Sequence, residues 1–322
     1  MKKLAEKAHV SRTAVSMILN GKTNGHISIE NQKKVLKLAK EYNFCPNVAA
    51  RKLRTGKSSS IGIMMPVPRT TFYADMATLF QRKLSDRGYS ALFSFFHSLE
   101  PSEIEKAFWS IAGHGISGII SWEYSECFLR EKVPAVLYTY SEPARPYIDQ
   151  VTPDFKVMVD QTIRHLLERG HTRIAVMGML SDPRIELLHQ KLLEHGLSIP
   201  EDCFIDVLVS DSLLDKKVEQ IVNLNPAPTA IVCHDDLIVA GIHSRLLSLG
   251  KNIPDDFSIL CFNDSSILSV LTPAVSAFSL HEDKLTDMLI QLLFARIENP
   301  QAQSVTQTIV PELIIRKSTS QK

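Results

Sequence analysis

The 322-residue chain contains no apolar run close to the ~18 residues that a membrane helix needs. Its first residues, Met1, Lys2 and Lys3, lead into no signal-peptide apolar segment. A soluble, cytoplasmic protein with no membrane partner is therefore the expectation. Cysteine is scarce. The five residues Cys45, Cys127, Cys203, Cys233 and Cys261 are odd in number, far apart and form no Cys-x-x-Cys pair. That pattern excludes a disulfide framework or a paired-cysteine zinc site, and fits free thiols in a reducing compartment. The eleven histidines show no metal-ligand spacing. The phosphate-cradling G-x-x-x-x-G-K-[ST], the zinc-binding H-E-x-x-H and the nucleophile elbow G-x-S-x-G are all missing. With no catalytic constellation, no metal and no cofactor are expected, and the chain does not read as an enzyme.

Acid is the scarcest commodity of the first 57 residues. Only Glu6, Glu30 and Glu41 stand there against thirteen lysines and arginines, a charge of +10. The rest of the chain carries 23 basic and 32 acidic groups, so the overall charge of +1 hides a basic head on an acidic body. Such a head suits a polyanion. Within it, Ser11 can cap a helix whose apolar residues Ala14, Val15, Ile18 and Leu19 share one face. The other face carries Arg12, Thr13, Ser16, Met17 and Asn20. A short helical run, Leu4 to Ala8, lies just upstream and is joined through His9 and Val10. Two short helices with small polar residues opening the second make a helix-turn-helix, whose second helix enters the major groove. An ordinary helix pair in a bundle has the same pattern. A third helix over 29–42 follows, capped by Ser28, with Val35, Leu36, Leu38 and Ala39 closing a three-helix core. Pro46 breaks the chain, and Asn47 can cap a very short helix over 48–54. A polar linker follows over 55–60.

From residue 60 the pattern alternates. Strands are expected at 61–65, 89–95, 118–122, 134–138, 173–177, 205–208, 230–233 and 258–262. Helices fall between them at 73–87, 102–111, 155–169, 184–195, 215–223 and 236–249. Alternation of this kind means parallel sheets with right-handed crossovers, and a length of 322 residues suits two doubly wound lobes. Ligands in such folds lie beyond the carboxyl ends of the strands. Gly113, Gly115 and Gly118 match G-x-G-x-x-G, but follow a helix and precede a strand. A dinucleotide site needs the reverse, so these glycines read as a turn.

Several stretches together strongly resemble the LacI/GalR family of bacterial transcriptional repressors. They are Val10, Ser11, Val15, Ser16, Leu19 and Asn20; Pro46 with Ala50, Arg51, Lys52 and Leu53; Ser60, Ile61 and Gly62; and Glu168 through Ala175. Pro228 to Ile231, Asp236 with Gly241, Thr272 to Ala274, and Pro311 to Ser318 complete the set. The resemblance covers nearly the whole chain. It implies an α/β fold class: an N-terminal all-α helix-turn-helix DNA-binding domain plus a two-lobed doubly wound core of periplasmic-binding-protein-like type. The head would span 1–57, with a hinge helix at about 47–54. The effector-binding and dimerisation core would span 58–322, with lobe one at about 61–150 plus 280–310 and lobe two at about 152–278 plus 311–318.

The family likeness further implies a homodimer on a near-palindromic double-stranded operator, with dimer against tetramer left open, and a small-molecule effector such as a sugar between the lobes. Arg12, Thr13 and Met17 fall where family members read major-groove base edges, a role suited to guanidinium, hydroxyl and thioether. Ser11, Ser16 and Asn20 match phosphate-contacting and loop-fixing positions. Leu53 falls where the family wedges a leucine into the minor groove, flanked by Ala50 and Arg54. Phe72, Tyr73, Trp122, Arg184, Asp236 and Asn263 match effector-contacting positions. The chain departs from the family at Asn263 and Thr139, where aspartate is usual, and at Asp235-Asp236, where asparagine-aspartate is usual. Effector identity is therefore not transferable from any one member. The capping threonine usual before the first helix is also missing, which leaves room for a start upstream of Met1. The competing readings are a sugar-binding protein, of transport type or cytoplasmic, or an α/β enzyme with a basic N-terminal extension. The first needs a signal peptide and the second a catalytic set.

Overall fold

A short helix with one apolar stripe is stable only when that stripe is covered. In the head three helices cover one another: α1 (Lys2–Ala8), α2 (Arg12–Leu19) and α3 (Ile29–Glu41). The computed structural model of the protein describes residues 2–19, 23, 27–42, 58–139, 143–207 and 213–322. The expected hinge helix at 47–54 and Cys45 lie outside the described residues. Ser11 caps α2 by accepting the amide hydrogen of Ala14 at 3.0 Å, and Ser28 caps α3 through the amide of Asn31 at 3.3 Å. Leu4, Ala5, Ala8, Val15, Ile18, Val35 and Ala39 form the shared core. Leu36, expected in that core, is 52% exposed. It lies one residue past Val35, a helical rotation of about 100° that carries it to the outer side.

The chain clusters into two units, Met1–Ser58 and Ser59–Lys322. The second holds two six-stranded sheets. Sheet one joins β1 (Ser60–Pro66), β2 (Ser90–Phe96), β3 (Gly118–Ser121), β4 (Ala135–Tyr138), β5 (Ile148–Pro153) and β11 (Thr306–Ile309), in the order β11-β5-β4-β3-β1-β2. All its pairings are parallel. Sheet two joins β6 (Ile174–Gly178), β7 (Phe204–Asp206), β8 (Ala230–Cys233), β9 (Ser258–Cys261), β10 (Ser276–Ser279) and β12 (Glu312–Ile314), in the order β12-β10-β9-β8-β6-β7. Only β12 runs antiparallel to its neighbour.

Helices cover both sheets, so the strands read as unbroken apolar runs. Ile61, Ile63, Met64 and Met65 of β1 are all fully buried. Sheet one packs against α4 (Thr71–Asp86), α5 (Pro101–Ala112), the short α6 (Cys127–Arg130) and α12 (Glu282–Glu298). Sheet two packs against α7 (Phe155–Leu167), α8 (Pro183–Glu194), α9 (Leu214–Val222), α10 (Asp236–Ser248) and α11 (Ser266–Val270). Helix α4 begins at Thr71, two residues before its expected start, which places Phe72 and Tyr73 in its first turn. Gly113 to Gly118 form the turn from α5 into β3, as expected of glycines there. Cys127, Cys203, Cys233 and Cys261 are free and buried. No helix among the described residues is long and apolar enough to cross a membrane.

The chain passes between the sheets three times: after β5, between β10 and α12, and between β11 and β12. The last two passages use residues beyond 262, where the sequence analysis places no element. They are anchored by polar groups. Arg296 of α12 makes a two-pronged pair with Asp149 of β5 at 2.7 and 2.9 Å, and donates to the carbonyls of Pro300, Ala302 and Gln303. Asp149 also accepts the amide of Val305, which leads into β11. The C-terminal segment is held to lobe two by Ser318, whose hydroxyl donates to Ile259 O, and by two buried histidines. His171 meets Thr229 Oγ1 and Ser320 O, and His165 meets Thr319 Oγ1.

Two consequences follow for stability. Arg296→Leu leaves Asp149 buried without its counter-charge and should cost about 3–5 kcal/mol in urea unfolding. A loss below 1 kcal/mol would show the pair to be dispensable. Burial, with the nearby charges of Arg169 and His171, lowers the His165 pKa from 6.5 to about 4. The unfolded chain then binds more protons than the folded one between those values. Stability should be full above pH 6.5 and fall as the pH drops toward 4, and His165→Gln should flatten that slope between pH 6.5 and 5. Equal slopes in urea midpoints for both proteins would remove His165 as the cause.

Candidate functional site

The turn between α1 and α2 is made without glycine. His9 takes φ +56°, and the amides of His9 and Val10 donate to Glu6 O and Ala5 O at 3.3 and 3.1 Å. This is a Schellman closure, completed by Val10 packing in the same cluster as Ala5. It ends α1 sharply and starts α2 with Ser11, Arg12 and Thr13 all exposed. Ser16 and Met17, one turn later, are half-buried beside them. No acidic residue neutralises the first turn of α2, and Arg12 adds positive charge there. That arrangement works against the helix by about 0.3–1 kcal/mol, and a phosphate or base acceptor would relieve it. Opposite, Lys7 donates to the Tyr42 hydroxyl and lies 4.8 Å from its ring centre, fastening α1 to the end of α3. Asn20, Ala50, Leu53 and Arg54 lie outside the described residues.

In the core, polar groups collect beyond the carboxyl ends of sheet two. Asp182 precedes Pro183, the first residue of α8, and caps that helix through the amide of Arg184 at 2.9 Å. The same carboxylate takes Arg184 Nε at 2.9 Å and Nη2 at 2.7 Å, a fork-on-fork pair. Arg184 Nη1 donates to Asn263 Oδ1 at 2.7 Å, two residues past β9. The guanidinium also lies 5.4 Å from the ring centres of both Phe155 and Phe262. His234, directly after β8, pairs with Asp235 at 3.0 Å and stands 3.9 Å from Asp182. Its close approach depends on Gly178, at φ +151°, where a Cβ would come within 2.5 Å of His234 Cβ. Burial pushes the Asp182 carboxyl upward, but the charge and hydrogen bonds of Arg184 outweigh it and hold the pKa below the ordinary value. Asp235 is lowered in the same way: burial works against His234 and the amides of α10 and loses.

Asp236 opens α10 and is 1% exposed. Its Oδ2 accepts the hydroxyl of Thr71 in the first turn of α4, a contact from one lobe to the other. Its Oδ1 is buried and has no hydrogen-bond partner among the described residues. Next to Thr71 lies a series of rings in edge-on contact. Phe72 and Tyr73 are 5.2 Å apart, Tyr73 and Trp122 6.3 Å, and Trp122 and Tyr138 5.4 Å. Phe72 is packed in the core of lobe one at 7% exposure, whereas Tyr73 is half-buried. Trp122 Nε1 is a second buried atom lacking a partner among the described residues.

The six expected cleft residues therefore fall into two groups. Arg184 bonds Asn263 directly; Phe72, Tyr73 and Trp122 adjoin the Thr71–Asp236 contact; the neighbours Asp235 and Asp236 link the groups. Sequence reasoning missed Asp182, Thr71 and His234. Asp182 carried a usable signal, since an aspartate directly before a proline marks a helix start. Thr71 carried none, because its partner is 165 residues away.

Residues 1–47 match the family described as bacterial regulatory proteins, lacI family, and residues 163–319 match a periplasmic binding protein-like domain. The chain is 25% identical to the HTH-type transcriptional repressor PurR of Mannheimia succiniciproducens, over 99% of this chain and 98% of the relative. It is 24% identical to PurR of Klebsiella pneumoniae, over 99% and 96%. The Lac repressor dimer bound to operator and the anti-inducer ONPF superposes with a TM-score of 0.81 at 19% identity, over 98% of both chains. A periplasmic binding protein/LacI regulator from Alkaliphilus metalliredigens, complexed with D-xylulofuranose, gives 0.69 at 21% identity, over 81% of this chain and 99% of the other. The chain thus carries a LacI-family helix-turn-helix domain in its head and a periplasmic-binding-protein-like domain in its core, and is similar over its whole length to LacI-type repressors.

Proposed function

We propose that the chain is a sequence-specific repressor that binds a near-palindromic operator as a dimer and is controlled by a small molecule held between its lobes. The observation that carries the DNA half is the exposed Arg12-Thr13 pair at the open, uncompensated start of α2, in a head of charge +10. Arg12 and Thr13 are assigned to base edges with Met17 beside them, and Ser11, Ser16 and Asn20 to phosphates. Leu53, with Ala50 and Arg54, is assigned to the minor groove. Curated relatives are named repressors rather than enzymes, and the structurally similar Lac repressor is described as a dimer on its operator.

A second copy is supported by the free edge of sheet one. Phe95 of β2 is 41% exposed, and Leu99, just beyond it, is 67% exposed. Apolar groups on an open strand edge are a liability unless another surface covers them. For the effector, support comes from two buried atoms, one in each lobe, that lack a hydrogen-bond partner among the described residues: Asp236 Oδ1 can accept a hydrogen and Trp122 Nε1 can donate one, with the ring of Tyr73 packed against Trp122. Arg184 and Asn263 complete the wall.

Arg12→Ala should weaken binding to a duplex selected from a random library by about 1–3 kcal/mol and relax the preference at one position per half-site. Loss on random DNA should be smaller, because that binding is carried by phosphates. Unchanged affinity for both duplexes in titration would take the base-reading role from α2. Asp236→Ala should lose about 1–3 kcal/mol of effector affinity in calorimetry while operator binding persists. The ligand for that titration comes from a thermal-shift screen of sugars, sugar phosphates and nucleosides, since a ligand bound to the folded state alone raises its stability. An unaltered effector titration would remove Asp236 from the site.

A further inference from the structure

The cleft's arginine is already occupied. A guanidinium has five N–H donors in a fixed fork. In this chain the Nε and Nη2 edge is taken by both oxygens of Asp182, at 2.9 and 2.7 Å. Nη2 also reaches His234 O at 3.5 Å, and Nη1 is held by Asn263 Oδ1 at 2.7 Å. Both side chains are buried, at 8% and 5% exposure, and Phe155 and Phe262 flank the guanidinium. The edge that would receive a ligand carboxylate or phosphate in two-pronged fashion is therefore filled by a carboxylate from the chain itself.

The surrounding charge points the same way. Besides Asp182, the loops at this end of sheet two bring Asp235 and Asp236 together. Asp235 has His234 at 3.0 Å. Asp236 has the Thr71 hydroxyl and no ion pair among the described residues. The amino-terminal ends of α4 and α10 soften its charge, but neither supplies a hydrogen to Oδ1, which is left without a partner. An anion entering here would meet an arginine whose two-pronged edge is filled and a carboxylate with no counter-charge among the described residues, in a poorly solvated place where like-charge repulsion is strong. A hydroxyl or protonated amine would instead satisfy Oδ1.

We infer that Asp182 determines the charge class of the effector: by filling the two-pronged edge of Arg184 it bars anionic ligands, and the cleft takes an unphosphorylated, non-carboxylate ligand that donates hydrogens to Asp236. The inference rests on the effector half of the proposed function. It goes further in assigning a residue, Asp182, that does not itself contact the ligand but sets what can bind.

The test uses the full chain and inorganic phosphate as probe, followed by calorimetry. Phosphate also binds basic surfaces, so only heat removed by Arg184→Gln counts as binding at the arginine. In the wild type, Arg184→Gln should leave the phosphate heat unchanged, since no anion reaches the arginine there. Asp182→Asn keeps an oxygen able to cap α8 but removes the charge. It should bind phosphate at least about tenfold tighter than the wild type, because a charge-assisted fork is then open to an anion. The double variant Asp182→Asn with Arg184→Gln should return to the wild-type level. Arg184-dependent phosphate binding in the wild type would overturn the inference. So would an Asp182→Asn protein, folded by circular dichroism, that gains none. If Asp182→Asn does not fold, the comparison of wild type with Arg184→Gln still decides, since it needs no change at Asp182. Operator binding is measured separately on the same wild-type protein. A chain that binds no DNA refutes the functional reading and leaves the charge result standing, and the reverse holds equally.

Discussion

A parallel strand cannot return to its neighbour through a tight turn; it needs a crossover long enough to hold a helix. That constraint governs the core. Eleven of the twelve described strands run parallel to a neighbour, so helices cover both faces of each sheet and the strands are mostly apolar, with Asp149 of β5 held by Arg296. The strand ends are the remaining place for chemistry. Every charged residue of the cleft accordingly lies just past the end of β6, β8 or β9, or at the start of the helix that follows. Tight packing beneath, as at Cys233 and Cys261 on neighbouring strands, gives those loops a rigid base.

Because the loops leave strands and enter helices, the same side chains serve as caps and as partners in buried ion pairs. Asp182 caps α8 and grips Arg184. Asp235 caps α10 through the amide of Ile238 while pairing with His234. A cap fixes the carboxylate's position, and the fixed carboxylate fixes the arginine. Asp236 differs from its two neighbours. It reaches the other lobe through Thr71, and so ties the geometry of the cleft to the relative placement of the two sheets.

The head obeys a different constraint. Among the described residues its core is small: seven buried apolar residues from three short helices. Its stability therefore depends on ends and turns as well as on packing. Ser11, Ser28 and the left-handed His9 supply these. The outward side of α2 is thereby free of any packing duty at Arg12 and Thr13, which is the physical condition for a surface that reads another molecule.

Local pattern was enough to determine a good deal. The apolar spacing and serine cap of α2, the alternation of buried strands and helices, the turn at Gly113 to Gly118 and the concentration of basic residues in the head all follow from neighbours within a few positions. Those signals establish the helix-turn-helix and the doubly wound class, and with the family likeness they named Arg184, Asp236 and Asn263. Tertiary structure decided the rest. The helical period of Leu285, Met288, Leu289, Leu292 and Leu293 lies in the last sixty residues, but only pairing with distant strands sends β11 to sheet one and β12 to sheet two. Leu36 was read as core, and one helical step moved it outside. The bonds of Arg184 to Asn263 and of Thr71 to Asp236 join residues 79 and 165 positions apart. No local pattern encodes such pairs, because they exist only once whole sheets have brought their strand ends together.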